Sequence, residues 1–373
     1  YPIHGVANAL TGVPAIDVAM ELSPRDPKHW PFFGSVVDYV DQQAQGGDER
    51  TTIPRNMALP FRLSSQRVGE VPRAGPYAAF LGAEYDPVWT DLVGEATRGH
   101  RKTLRDMVFE KHDPYMGVST DCYFEVPAAT SLPTEITLDR LHRRRSLLTQ
   151  LDDARQNLAN SPAGRQLDRH QQMAFGLLES DDLRTALDLR REDAEVRELY
   201  GDMLFGQACL AARRLVEAGS RVVSVFWDEY GLAGTGWDTH WNHYPRMRNE
   251  LCPGLDMALY GLITDLDRRG LLDETLVVCT SEHGRTPKIN RQQGGGRDHW
   301  SRVYTTLIAG AGIARGHIVG ASDDQGGDVA RRPISPKDLQ ATMYHLLGID
   351  HHQFIHDALG RPLRIVEGQV CFV

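Results

Sequence analysis

Short β-branched runs alternate with helical stretches in the second half of the chain. Three runs have the length and composition of buried strands: residues 220–227 (SRVVSVFW), 275–280 (TLVVCT) and 303–309 (VYTTLIA). Leucines at helical spacing lie between the first two runs, and Gly270 follows them as a stop signal. Pro336 begins a further helix through Leu347. This alternation predicts an α/β fold, with a mostly parallel sheet covered by helices on both faces.

The rest of the chain divides into two parts. Residues 1–133 are rich in Pro and Gly and predict short helices and loops, such as a helix near residues 33–40 and an exposed loop at residues 42–50. Residues of about 138–218 show helical periodicity, including Leu204, Ala208, Ala211 and Leu215 on one face. This segment predicts a helical insertion within a single domain that spans residues 1–373.

Composition excludes several classes of protein. The chain has 373 residues, of which 41% are hydrophobic and 24% charged, so a sizeable core is expected. A formal net charge of −9 argues against a protein that binds nucleic acid through a basic face. The five cysteines are scattered without a CxxC pair, which does not indicate a disulfide framework. No run approaches the roughly 18 apolar residues of a transmembrane helix.

Three polar clusters lie next to the predicted strands, and each pairs a carboxylate with a histidine. The residues concerned are Asp238 and His240 in GWDTH, Glu282 and His283 in SEHGR, and Asp298 and His299 in GRDHW. Because ligands gather at the carboxyl ends of parallel strands, these clusters are expected to meet. Imidazole and carboxylate together suit Zn²⁺, Mn²⁺ or iron. The pattern therefore predicts a site for one or two divalent ions, most often zinc, with Asp238, His240, Glu282, His283 and His299 as ligands.

Simpler interpretations exist for each cluster. An isolated Asp-x-His is commonly a turn with a surface histidine, whereas a charged pair directly after an apolar strand, such as Glu282 and His283, must be solvated or bound. Arg285 and Lys288 follow the central pair, and a guanidinium beside metal ions suits a phosphate or sulfate oxyanion. Arg285 could equally neutralise Glu282 or cap a helix. Trp237, Trp241 and Trp300 flank the clusters and favour aromatic packing.

At these residues the chain resembles the DUF1501 proteins of the alkaline phosphatase and sulfatase superfamily. The motifs that carry the resemblance are residues 236–240 (GWDTH), 271–290 (LLDETLVVCTSEHGRTPKIN), 296–300 (GRDHW), 320–323 (GASD), 341–350 (ATMYHLLGID) and 360–363 (GRPL). The resemblance implies an alkaline-phosphatase-like sheet with metal ligands at its strand ends. In that scheme Glu282 and His283 correspond to the Asp-His pair of one metal, and Asp238, His240 and His299 to the ligands of the other.

Two departures from the superfamily pattern stand out. The superfamily places a histidine four residues after the first Asp, where this chain has Asn242, so His243 is a reserve ligand. The superfamily also has a first strand and a Ser, Thr or Cys nucleophile before a Leu-Thr-Gly helix. Counting back from Thr11 by the sulfatase spacing reaches Pro2, with only the hydroxyl of Tyr1 nearby. The resemblance therefore implies a domain that lacks its first strand, with the nucleophile upstream of Tyr1 or absent.

Two functions fit these observations. The first is a metal-dependent hydrolase of phosphate or sulfate esters, with a small molecule or a glycan ester as substrate and Arg285 and Lys288 at the reacting group. The second is a non-catalytic binding or assembly protein that retains the fold. The resemblance also implies export to the periplasm or cell surface. A fold alone does not distinguish the two functions.

Overall fold

The computed structural model describes residues 2–14, 25–44, 53–63, 75–104, 107–127, 180–231 and 236–371. The chain is a mixed α/β protein with a small parallel sheet and helices. Its helices are α1 (Pro2–Thr11), α2 (Phe33–Ala44), α3 (Asp181–Leu187), α4 (Ala194–Leu199), α5 (Leu204–Glu217), α6 (His243–Arg246), α7 (Cys252–Arg268) and α8 (Pro336–Leu346). Within the described ranges, none of the helices has the length and apolar character needed to cross a membrane.

Most strands are short. They are β1 (Asn56–Leu59), β2 (Val88–Trp89), β3 (Asp91–Val93), β4 (Gly99–Leu104), β5 (Met107–His112), β6 (Tyr123–Glu125), β7 (Val222–Val225), β8 (Val277–Cys279), β9 (Gly284–Arg285), β10 (His299–Trp300), β11 (Leu307–Ala309), β12 (Ala321–Ser322), β13 (Val329–Arg331), β14 (Phe354–His356) and β15 (Pro362–Arg364). The first six fall in a region for which the sequence predicts only helices and loops, so that prediction is wrong.

The parallel sheet has the order β2-β1-β7, and helices lie on both of its faces. Successive side chains of a strand point to opposite faces. Accordingly, Asn56 of β1 donates to Ser35 Oγ of α2, whereas Met57 packs in the apolar cluster that includes Leu204 and Leu215 of α5. The predicted cover of helices on both faces is therefore confirmed for this sheet.

The three predicted strands form, but they do not make one mostly parallel sheet. They correspond to β7, β8 and β11, and β11 pairs antiparallel with β8, with Leu307 opposite Cys279. Parallel neighbours need a crossover connection, usually a helix, and residues 280–306 contain only loops and the strands β9 and β10. Among the described strands, only β1, β2 and β7 pair in parallel. The alkaline-phosphatase-like arrangement stays a prediction.

Helices predicted from periodicity are found where expected. Leu204, Ala208, Ala211 and Leu215 of α5 are all fully buried. The helix α7 ends just before Gly270, which has a φ of 70°. Ser335 caps α8 in a capping box with Asp338. Of the predicted helical segment, residues 138–179 lie outside the described ranges, and the remainder forms α3, α4 and α5.

Arg213 of α5 is a buried cation that joins three elements. Its guanidinium is 2.9 Å from Glu192, 2.7 Å from Glu217 and 2.8 Å from Asp265 of α7. Its side chain is 1% exposed, and those of Glu192 and Asp265 are 10% and 7% exposed. Two buried carboxylates therefore depend on this arginine for their charge balance.

The charge on Glu192 is expected to make stability depend on pH. Burial works against ionisation of Glu192, but hydrogen bonds and charges from Arg213 and Arg214 outweigh it and hold its pKa below the usual 4.5. Because the folded protein binds this proton less readily than the unfolded chain, Glu192 stabilises the fold above about pH 4.5. That contribution is lost as the pH falls through the acid range towards the folded pKa.

The measurement is the free energy of unfolding in urea for the wild type and Glu192→Gln between pH 7 and pH 3.5. We expect the wild type to be more stable at pH 7, and the difference to shrink as the pH falls below about 4.5. Taking the difference cancels the titration of the other carboxylates. A difference that stays constant over the whole range would contradict the assigned role of Glu192.

Candidate metal centre

Three potential ligand atoms converge beside the glycine-rich loop that precedes β10. Asp238 Oδ1 lies 2.9 Å from His299 Nε2 and 3.1 Å from His240 Nε2, and the two imidazole nitrogens are 3.2 Å apart. Asp238 and His240 come from the loop after β7, and His299 begins β10. The structure thus brings together three of the five predicted ligands in one triangle.

The triangle has the dimensions of a metal site. A tetrahedral Zn²⁺ with bonds of 2.0–2.1 Å separates its ligand atoms by about 3.3 Å, close to the three distances found here. Two histidines and one carboxylate are also the ligand set of many non-haem iron sites. The side chains of Asp238, His240 and His299 are 40%, 32% and 33% exposed, so the triangle is partly accessible to solvent. Three protein ligands with an open position are typical of catalytic rather than structural sites.

Glycines and backbone hydrogen bonds hold the two ligand-bearing loops together. Arg297 N donates to Thr239 O, and Asn290 Nδ2 donates to His240 O. A Cβ on Gly296 would lie 1.8 Å from His240 O, so no other residue fits there without moving that loop. The glycine at position 296 is therefore explained by the close approach of this backbone to His240.

Asp298 orients His240. Its Oδ1 is 2.8 Å from His240 Nδ1, so Nδ1 carries the proton that the carboxylate accepts. In the neutral ring, Nε2 then presents a lone pair towards Asp238 Oδ1, which is also an acceptor. Two acceptors 3.1 Å apart require a cation or a proton between them. The carboxylate–histidine arrangement is the usual outer shell of a metal ligand.

Replacing Asp298 with Asn is expected to weaken zinc binding by about 10–100-fold, because an amide does not fix the histidine tautomer as a carboxylate does. Competition with a chromophoric chelator measures the affinity. The control is Asp324→Asn, which changes an exposed acid elsewhere and is expected to leave the affinity unchanged. Equal affinities of the wild type and Asp298→Asn would exclude this role.

The protonation states of Asp238 and His299 suit a metal ligand. Burial disfavours the charge on Asp238, but hydrogen bonds from His299 and Arg285 and the charges of Arg285 and His240 outweigh it and keep the pKa of this carboxyl below its ordinary value. Burial also lowers the pKa of His299, and Asp238 opposes this only in part, while His283 and Arg285 lower it further. An ionised carboxylate and a neutral imidazole are therefore expected at neutral pH.

Glu282 and His283 lie directly beside this triangle. The His283 ring is 4.4 Å from the ring of His299, centre to centre. His283 Nδ1 donates to Gly284 O, so the neutral ring has its lone pair on Nε2. This atom is buried without a hydrogen bond and faces Glu282 Oε1 at 3.3 Å, with the residue only 9% exposed. Here too, two acceptors face each other across a gap that suits a cation.

The predicted catalytic residues have different environments. Arg285 Nη2 is 2.7 Å from Asp238 Oδ1, and its guanidinium also donates to two backbone carbonyls. One simpler interpretation of Arg285 was that it neutralises Glu282. In the structure its guanidinium pairs with Asp238 instead. Lys288 is exposed on the following loop, where its carbonyl accepts from Thr286 Oγ1. The roles of Arg285 and Lys288 at an oxyanion stay predictions.

The remaining residues singled out from the sequence support the loops. His243, the reserve ligand, forms a hydrogen bond within its own loop, with its Nδ1 2.8 Å from Thr239 Oγ1. Trp237 packs edge-on against Trp227, and Trp300 Nε1 donates to Gly327 O, which agrees with the packing role expected of these aromatics. Asp298 was not identified from the sequence as a residue that orients a metal ligand. Its position directly before His299 could have indicated that it lies at the site.

Comparison with known proteins gives one family. A family model described as "Protein of unknown function (DUF1501)" matches residues 14–371. No curated protein and no solved structure matches the chain.

Proposed function

We propose that this chain, which belongs to the DUF1501 family, is a metal-dependent hydrolase-like protein that acts on phosphate or sulfate esters. The observation that carries this proposal is the partly exposed triangle of Asp238 Oδ1, His240 Nε2 and His299 Nε2, with edges of 2.9–3.2 Å. The resemblance of these motifs to the alkaline phosphatase and sulfatase superfamily supports the reaction class.

One or two divalent ions fit the donor set. The triangle would hold one ion, and Glu282 Oε1 with His283 Nε2 would contribute to a second. Zinc is the first choice for two imidazoles and a carboxylate, and manganese or iron also suit these ligands. Bound ions would polarise the ester oxygen and stabilise charge on the attacking and leaving oxygens.

The protein's own residues would prepare this site. Asp298 fixes the tautomer of His240. Burial lowers the pKa of His299, and a bound cation would take the place of the hydrogen bond between His299 Nε2 and Asp238 Oδ1. The three ligands of the triangle are each about one-third exposed, so a small molecule or a terminal ester on a glycan would approach them from solvent. Lys288 on the neighbouring exposed loop would add positive charge for an anionic group.

A second candidate is a non-catalytic binding protein that retains the metal site. The observation that favours it is the engagement of Arg285, whose guanidinium contacts Asp238 and two backbone carbonyls instead of standing open to an oxyanion. In this case the ion would shape a binding surface.

Hydrolysis assays separate the two candidates. The wild type and His299→Ala are loaded in turn with Zn²⁺, Mn²⁺ or Fe²⁺ and incubated with p-nitrophenyl phosphate and p-nitrophenyl sulfate. The hydrolase proposal expects release of p-nitrophenol that depends on the metal and is lost in His299→Ala. Stoichiometric metal binding that His299→Ala abolishes, without turnover of either ester, would reject the hydrolase and favour the binding protein.

A further inference from the structure

Arg285 connects the two chain segments that carry the ligand triangle. It lies in β9, directly opposite His299 in β10. Its Nη2 is 2.7 Å from Asp238 Oδ1 and donates to Trp237 O at 3.1 Å, and its Nη1 donates to Arg297 O at 3.2 Å. One guanidinium therefore joins the loop after β7, the strand β9 and the glycine loop before β10.

We propose that Arg285 is a positioning residue that ties these three segments together and sets Asp238 Oδ1 at its corner of the triangle. The inference rests on the metal-centre part of the proposed function and does not depend on which reaction the centre supports. It gives Arg285 a role different from that of an oxyanion clamp.

The shape of the arginine side chain explains the residue type. Guanidinium has five N–H donors in a planar fork, so it can serve a carboxylate and two carbonyls at once from a fixed position. A lysine ammonium is a compact charge on a flexible stem and cannot reach the same acceptors in one plane. The Arg285 side chain is 17% exposed, which limits competition from water for these acceptors.

The contact with Asp238 is compatible with a metal ion. A carboxylate oxygen has two lone pairs, so Oδ1 can accept from Arg285 on one side and coordinate on the other. The guanidinium also donates to the carbonyls of Trp237 and Arg297, so it cannot turn towards a substrate without breaking these bonds. Arg285 thus acts through Asp238.

Loss of the guanidinium should loosen the contact between the two loops. The hydrogen bond from Arg297 N to Thr239 O, 3.1 Å long, lies beside the Arg285 contacts and crosses between the same two loops. Its amide is therefore a local reporter that requires no metal, because amide exchange measures the free energy of local opening.

The test compares Arg285→Ala, Arg285→Lys and the control Arg315→Ala, which removes an exposed arginine paired with Asp267. In the metal-free protein we expect hydrogen exchange at the Arg297 amide to be at least about tenfold faster in Arg285→Ala, intermediate in Arg285→Lys and unchanged in the control. With Zn²⁺ as the probe, we expect Arg285→Ala to weaken binding by about 10–100-fold. In an Asp238→Ala background the same change should have no further effect.

Unchanged exchange at the Arg297 amide in Arg285→Ala would overturn the inference, as would additive losses of zinc affinity with Asp238→Ala. Weaker binding of inorganic phosphate with normal exchange and normal zinc affinity would assign the clamp role instead. If the wild type binds no zinc, the proposed function is rejected. The exchange measurement still tests the positioning role of Arg285 in that case. If Arg285→Ala does not fold, Arg285→Lys provides the same comparison.

Discussion

Replacement of Asp238 by alanine is expected to reduce the affinity for Zn²⁺ by more than about 100-fold. Loss of an outer-shell partner alone costs about 10–100-fold in metal affinity, and Asp238 is the only anion of the triangle. Its removal leaves two imidazole ligands, His240 and His299, whose nitrogens are 3.2 Å apart, without a directly coordinating anion in the triangle. Chelator competition or calorimetry in the wild type and variant measures the change.

Two further variants make this result specific to the ligand. Asp238→Asn retains the shape of the side chain and its contact with Arg285 but removes the charge, and we expect most of the loss to persist. Asp273→Ala changes an exposed acid outside the site and should bind zinc as the wild type does. Zinc affinity in Asp238→Ala within threefold of the wild type would exclude the triangle as the metal site.

The largest effect on stability is expected for Arg213→Leu, which should lower the free energy of unfolding by about 3–5 kcal/mol. The cost arises because Glu192 and Asp265 stay buried after their shared cation is removed. Two other arginines compensate in part and place the expected value near the lower end of that range. Arg214 donates to Glu192, and Arg269 lies 2.7 Å from Asp265 and 3.6 Å from Glu192. Urea denaturation at pH 7 gives the free energy directly.

Arg315→Leu is the matched control, because it removes an arginine that is 74% exposed and forms a surface ion pair with Asp267. Such pairs contribute about 0–1 kcal/mol, so little change is expected. Arg213→Lys should fall between the two, since an ammonium keeps the charge but not three contacts. A loss below about 1 kcal/mol in Arg213→Leu would show that the buried carboxylates do not depend on Arg213.

The elements that could be predicted from the sequence are those whose burial is visible in local periodicity. The face of α5 formed by Leu204, Ala208, Ala211 and Leu215 is buried throughout. The helices α7 and α8 also form where the sequence predicts them, although Leu266 is the only leucine of α7 among its buried residues. The strands β7 and β8 are short β-branched runs that each follow a helix, which is a pattern that local composition alone can indicate.

The elements that were missed depend on distant partners. The central strand β1 has the sequence NMAL, which has no alternation and no β-branched residue, and its burial comes from β2, β7 and the helices around it. Likewise, Gln42 was predicted in an exposed loop but lies in α2, where its Oε1 accepts from Tyr85 Oη, 43 residues away. The antiparallel pairing of β11 depends on a connection without a helix, which strand composition does not reveal.

For the site, the sequence indicated residue types but not their partners. Asp238, His240 and His299 were predicted to meet, and the structure brings them together, while their role as metal ligands stays a prediction. The partners of Arg285 could not be predicted, because two of its three acceptors are backbone carbonyls, which are present at every residue. Contacts of this kind follow from the path of the loops.

The metal content of the purified protein tests the central claim most directly. The wild type and an Asp238/Glu282/His283 triple alanine variant are purified without added chelator and measured by inductively coupled plasma mass spectrometry. The account predicts about one to two equivalents of zinc, manganese or iron in the wild type, lost in the variant. Equal metal content in both proteins, or none in the wild type after incubation with each of these ions, would contradict it.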